Sequence, residues 1–150
     1  MRIRPTSSTD IPALQTILRD TGLFPPEMLP DMLAAHLAAQ GEALWLTCED
    51  GAVSGFCYAE PEALTDGTWN MLAIAVAPSA QNNGAGRALV SALEDALRQY
   101  GARVLIADTS GTEEFAATRA FYRSAGYVEE ARIRDFWSKG DDKVVFWKGL

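Results

Sequence analysis

The sequence predicts an α/β domain, a mixed sheet with helices interleaved among its strands. Three observations carry that expectation. Short apolar runs that suit strands alternate with segments whose apolar residues recur at the period of a helix. Turn-forming Gly, Pro and Asp residues punctuate the boundaries. The 150 residues, 48% of them hydrophobic, have the size of a single domain, 1–150, and enough apolar side chains for a core of its own.

The elements follow in order. Arg2-Ile3-Arg4-Pro5 is a short alternating strand, after which Thr9-Asp10 caps a helix with Ile11, Leu14, Ile17 and Leu18 on one side and Gly22 as its stop. A second helix spans about Pro26 to Gln40, and its lone His36 reads as a core-edge side chain rather than a base. Ala43 to Cys48 and Val53 to Tyr58 form a hairpin around Glu49-Asp50-Gly51, and Trp69 to Ala77 is the next strand. The third helix, entered through a glycine turn and closed by Gly101, repeats Leu89, Ala92, Leu93, Ala96, Leu97 and Tyr100 and pairs Glu94 with Arg98 at i, i+4. Val104 to Ala107 suits a buried strand. Ser110-Gly111-Thr112-Glu113 has capping-box spacing for a helix from about Thr112 to Ser124, ended by Gly126. Tyr127 to Trp137 and Lys143 to Trp147 close the chain around Gly140-Asp141-Asp142.

Composition excludes several functions. No apolar run approaches the roughly 20 residues needed to span a bilayer, and no apolar stretch follows the first arginines as in a secretory signal, so a soluble, cytoplasmic protein without a membrane partner is expected. A net charge of -7 argues against nucleic acid, whose phosphates call for a basic surface. Cys48 and Cys57 do not fall opposite each other in the hairpin, so no disulfide is expected. Two cysteines and one histidine make a poor zinc site, and no metal is expected.

Leu72 to Leu89, LAIAVAPSAQNNGAGRAL, carries the strongest functional signal. An apolar strand runs through a proline-bearing loop into Gly84-Ala85-Gly86, which opens a helix. Glycines let the backbone approach a ligand closely, and the unpaired amides from about Asn82 to Ala88, at the positive end of the helix dipole, suit a phosphate. Arg87, Arg119 and Arg123 put positive charge in the same region of an acidic chain.

With Val76-Ala77-Pro78, Gln81-Asn82-Asn83-Gly84-Ala85-Gly86 and the later Arg119-Ala120-Phe121-Tyr122-Arg123-Ser124-Ala125-Gly126-Tyr127, the chain resembles the GCN5-related N-acetyltransferase (GNAT) family over nearly its whole length. Gln81, Gly84 and Gly86 fill that family's cofactor-loop pattern. The resemblance implies a mixed, mostly antiparallel central sheet flanked by helices, with acetyl-CoA as acyl donor. It implies main-chain groups of Ile74, Ala75 and Val76 along the pantetheine arm, and Tyr122 as proton donor to the departing thiolate, a task that suits a phenol.

Two departures stand out. Phe115 replaces an asparagine that contacts the cofactor in many members, and Asn70 replaces a glutamate that serves as general base. An amide cannot accept that proton, so Asn70 is expected to position substrate or water, with Asp108 and Glu60 as the remaining carboxylates. Asp135, Phe136 and Trp137 on the closing hairpin are expected to border the acceptor. The expected activity is N-acetyl transfer to a primary amine of a small molecule or peptide, by direct attack in a ternary complex formed by a monomer or homodimer. A catalytically weak acyl-CoA sensor is the alternative that Asn70 and Phe115 suggest. A dinucleotide site is a lesser one: Gly84-Ala85-Gly86 with Asp108 imitates its fingerprint, but Leu89 holds the third glycine's place.

Overall fold

The computed structural model describes residues 1–150. In chain order the elements are β1 (Arg2–Pro5), α1 (Ile11–Thr21), α2 (Leu29–Leu37), β2 (Leu44–Asp50), β3 (Ala52–Pro61), β4 (Thr68–Val76), α3 (Ala85–Gln99), β5 (Val104–Ser110), α4 (Ala116–Ser124), β6 (Val128–Ser138) and β7 (Asp141–Gly149). The seven strands make one open sheet in the order β1-β2-β3-β4-β5-β7-β6, antiparallel except for the β4–β5 pair. The expected mixed, mostly antiparallel architecture is the one observed.

Each face of the sheet has its own core. Leu89, Leu93 and Leu97 of α3 and Tyr122 of α4 pack with Cys57, Met71, Leu105 and Phe146 on one face. On the other, Leu14 and Leu18 of α1 and Leu29 and Leu33 of α2 cover Trp45, Phe56, Ala73 and Ala75. The second layer reaches only β2 to β4. Beyond it, the same face of β5, β7 and β6 has no helix over it, and Trp147 and Ile133 are exposed there.

The feature that shapes the site is a split between the two parallel strands. They pair from Thr68 with Val104 to Met71 with Ala107 and no further, although β4 continues to Val76 and β5 to Ser110. Leu72 is the cause on the β4 side. Tyr58 pairs with Ala73 and Ala59 with Met71, so Leu72 is an extra residue, a bulge that bends and twists its strand. Past it, the side of β4 toward β5 is an unpaired strand edge.

Several expected boundaries move. The second helix begins with a 3-10 turn at Pro26–Met28 and ends at Leu37, because Ala39 takes a positive φ. Its His36 Nε2 lies 3.0 Å from the Thr6 carbonyl oxygen, a core-edge position. Asp10 is the residue that precedes the first helix as expected, and a 3-10 turn at Ser8–Asp10 leads into it, with the Ser7 amide donating to the Asp10 carboxylate. The capping box expected at Ser110 does not form: Ser110 Oγ accepts from the Thr112 amide rather than that of Glu113, Glu113 returns no bond, and the α-helix starts at Ala116. Asp141 and Asp142 belong to β7, leaving a tighter turn at Lys139-Gly140. Asp108 lies within β5, two residues before its end.

Candidate active site

The end of β4, the following loop and the first turn of α3 form a backbone cradle. Gln81 Nε2 donates to the Val76 carbonyl at 3.1 Å, tying the loop to the strand. Asn82 and Gly84 both take positive φ, at 65° and 88°, and Gly84 is the residue that caps α3. The amides of residues 82–87 make no hydrogen bond to any backbone or side-chain acceptor of the chain. Ala88 does not join them, since its N–H already donates to the Gly84 carbonyl at 2.9 Å. Six consecutive free N–H groups at the positive end of a fifteen-residue helix have the chemistry that suits an anion.

A cleft of about 380 Å³ opens beside this cradle. Of the residues expected at the cofactor, Ile74, Ala75, Val76, Gln81, Asn82, Gly84, Gly86 and Arg87 line it. Ala80 and, from α4, Ala117, Thr118 and Phe121 complete the wall. Gly86 eases this meeting of helices, since a Cβ there would stand 3.3 Å from the Phe121 ring and push it back by a few tenths of an ångström. The α4 residues were missed in the sequence, although Ala117 and Phe121, spaced i, i+4, share a helix face.

The other expected contacts lie elsewhere. Asn83 is exposed on the loop and Ala85 is buried beneath it. Phe115 sits in the 3-10 turn before α4, outside the cleft. Arg119 Nη1 donates to the carbonyls of Ser110 and Thr112, at 2.8 and 2.6 Å, and so clamps the loop entering α4. Arg123 pairs with Glu129 at 3.4 Å and lies over the Phe146 ring. Arg87, held by Ser124 Oγ at 3.0 Å, is the arginine at the cleft itself.

Tyr122 lies behind the cleft wall. Its ring packs on Phe121, Tyr127 and Phe146, and the residue is 3% exposed. Burial, and then the negative charge of Asp108, push the phenol well above its ordinary pKa, so it keeps its proton. Cys57 is fully buried nearby, and burial pushes its thiol up to about 12.

With this geometry in view, the comparisons with known proteins are decisive. The model of the Acetyltransferase (GNAT) family matches residues 11–127. The chain belongs to the GNAT acetyltransferase family. A GNAT-family structure from Desulfovibrio desulfuricans is 34% identical, with 99% of this chain and 98% of that one covered and a TM-score of 0.88. The ribosomal-protein-alanine N-acetyltransferase of Brucella melitensis shares the fold at 23% identity, with both chains fully covered and a TM-score of 0.81. A Salmonella typhimurium structure holding acetyl-CoA is 21% identical over 100% of this chain and 94% of that one, at a TM-score of 0.81. No curated protein sequence gives a significant match.

Within the GNAT fold the departure at Asn70 has a structural context. Asn70 is 7% exposed, and its Nδ2 donates to Glu62 Oε1 at 3.0 Å and to Asp108 Oδ2 at 3.4 Å. Glu60 pairs with Asn70 across β3 and β4, and its carboxylate accepts from the Tyr58 hydroxyl. Two carboxylates thus accept from the amide that stands where many family members carry a glutamate, and Glu60 is its cross-strand neighbour. Asp108 is the first β5 residue beyond the last β4–β5 pair, and Lys143 Nζ lies 3.4 Å from its Oδ2.

The closing hairpin splits the expected acceptor residues. Asp135, at φ 55°, accepts from the Gly140 amide at 2.8 Å and shapes the hairpin itself. Phe136 lies under the Lys143 ammonium, 4.4 Å from ring centroid to Nζ, and Trp137 Nε1 donates to the Thr109 carbonyl at 3.3 Å. Glu62 and Lys143 were missed in the sequence, because only the registers of distant strands bring Glu62 to Asn70 and Lys143 to Asp108.

Proposed function

We propose that the protein transfers the acetyl group of acetyl-CoA to a primary amine of a small molecule or peptide, by direct attack within a ternary complex. The observation that carries this reading is that the unpaired edge of β4 runs straight into the six free amides of residues 82–87. An extended pantetheine arm suits the strand edge, as an added strand suits any exposed sheet edge, and a pyrophosphate suits the amides and Arg87. A β4 amide past Leu72 then polarises the thioester carbonyl and stabilises the oxyanion that develops there.

In this reading Asp108, freed by the split and attended by Asn70, accepts a proton from the acceptor ammonium. The neutral nitrogen attacks the acetyl carbon, the C–N bond forms and the C–S bond breaks. Tyr122 gives its proton to the thiolate, and the second proton leaving the new amide nitrogen restores the phenol. Neither cysteine suits a covalent intermediate, since both are buried and Cys57 holds its proton. The test is thiol release across a panel of primary amines, with acetyl-CoA affinity measured by calorimetry. Amine-dependent release is expected. Tight acetyl-CoA binding without turnover on any amine would establish the sensor reading instead.

A further inference from the structure

Lys143 holds its own primary ammonium in a place with the chemistry of an ammonium site. Its Nζ is 3.4 Å from Asp108 Oδ2 and 4.4 Å from the centre of the Phe136 ring, and an aromatic face beside a carboxylate is a recognised receptor for such a cation. The hairpin backbone next to that ring is fixed by Asp135, which accepts from the Gly140 amide and whose own amide donates to Asp142 at 3.0 Å.

The surroundings carry more negative than positive charge. Asp108 and Glu62 accept from Asn70, Glu60 pairs with it across β3 and β4, and Lys143 faces Asp108 from β7. Two acceptor atoms in this group, Asn70 Oδ1 and Asp108 Oδ1, are buried without a hydrogen-bond partner, and buried acceptors of this kind call for a donor. The hold on Lys143 is loose. Its contact with Asp108 is long, the Asp108 oxygen is shared with Asn70, and Phe136 is 48% exposed.

We infer that Lys143 is a resident stand-in for the acceptor, and that Asp108 with the face of Phe136 forms the docking site for an unbranched primary alkylammonium once Lys143 swings aside. The inference rests on the acetyl-transfer reading and narrows its acceptor class. A carboxylate close to the acceptor amine is disfavoured, because Asp108, Glu60 and Glu62 would face it.

The test is calorimetric titration of the CoA complex with n-butylamine. Lys143→Met removes the competitor, so it is expected to bind the amine about two- to fivefold tighter than the unmodified chain, the range of a long, weak ion pair. Lys143→Met with Asp108→Asn is expected to lose that gain, and Phe136→Leu to weaken binding, all with unchanged CoA affinity. Equal or weaker binding by Lys143→Met would overturn the inference. So would a preference for 4-aminobutyrate over n-butylamine that disappears in Lys143→Met, since Lys143 would then be an anchor for anions. Failure of the unmodified chain to bind CoA at all would sink the acetyl-transfer reading itself, an outcome read in a separate arm.

Discussion

At the scale of single residues, Tyr122 carries the sharpest expectation. Burial and the Asp108 charge keep this phenol protonated, and a well-placed proton donor contributes about 10²-fold or more to rate. Tyr122→Phe should lower kcat about a hundredfold at unchanged CoA affinity. A parallel fall in affinity would mean that the ring had been lost from the packing of Phe121, Tyr127 and Phe146 instead. Tyr122 stands out in the sequence by its motif alone. The arginines beside it do not, because sequence places charge near a site without saying which carbonyl or carboxylate will capture it. Arg119 goes to Ser110 and Thr112 and Arg123 to Glu129, leaving Arg87 at the cleft.

At the scale of elements, the start of α3 depends on backbone conformations that few residues accept. Gly84, at φ 88°, costs an L-residue about 1–2 kcal/mol, so Gly84→Ala should lower the unfolding free energy by about that amount. It should also weaken CoA binding by re-aiming the free amides, which a calorimetric titration reads directly. The far end of α3 is held differently. Glu94 is buried, and it accepts from Lys148 Nζ at 2.8 Å and the Tyr127 hydroxyl at 2.9 Å, with Arg98 at 3.6 Å. Lys148→Met leaves that carboxylate with fewer partners and should cost about 1–2 kcal/mol in denaturant unfolding, less than a fully buried pair because Tyr127 and Arg98 remain.

The Glu94–Arg98 pair was readable from helical spacing. Lys148 was not, since it lies 54 residues along the chain and reaches Glu94 only through the fold. The same holds for the split between β4 and β5. Its two strands were recognisable as apolar runs, but the Leu72 bulge that separates them is a property of register with β3, and nothing local in Leu72-Ala73-Ile74 announces it.

β1 and α1 are joined by a charge that gives the fold a pH dependence of known sign. Arg4 donates to both oxygens of Asp10 at 2.7 and 2.8 Å, and with the Ser7 amide and the Thr47 hydroxyl it holds the Asp10 carboxyl below its ordinary pKa. A carboxyl with a lowered folded pKa contributes stability that is fully present above its unfolded value of about 3.9 and is lost as pH falls through the folded one. The unfolding free energy should therefore fall on acidification below about pH 4, and Asp10→Asn should flatten that part of the profile while lowering stability at neutral pH.

At the scale of the whole molecule, the sheet divides its labour between faces. One face is closed by α3 and α4 and presents the cradle and cleft. The other is closed only over β2 to β4, which leaves Asp108, Lys143 and Phe136 reachable at the split. The order of elements and the loop that lines the cleft were legible because periodicity and the glycine loop are local. The acceptor half was legible only as a region, since it depends on β3, β4, β5 and the β6–β7 hairpin meeting in one register. Because the cradle belongs to the folded chain alone, acetyl-CoA at a hundred times its Kd should stabilise the protein by about 2.7 kcal/mol and raise Tm by roughly 5–10 °C.

Direct transfer is tested by incubating the protein with acetyl-labelled acetyl-CoA and a primary alkylamine, then following the label by mass spectrometry after denaturation. Label in the amide of the amine, with none in thioester linkage to Cys48 or Cys57, is the predicted result. Thioester label on either cysteine, or acetyl-CoA left intact while bound tightly, would contradict it.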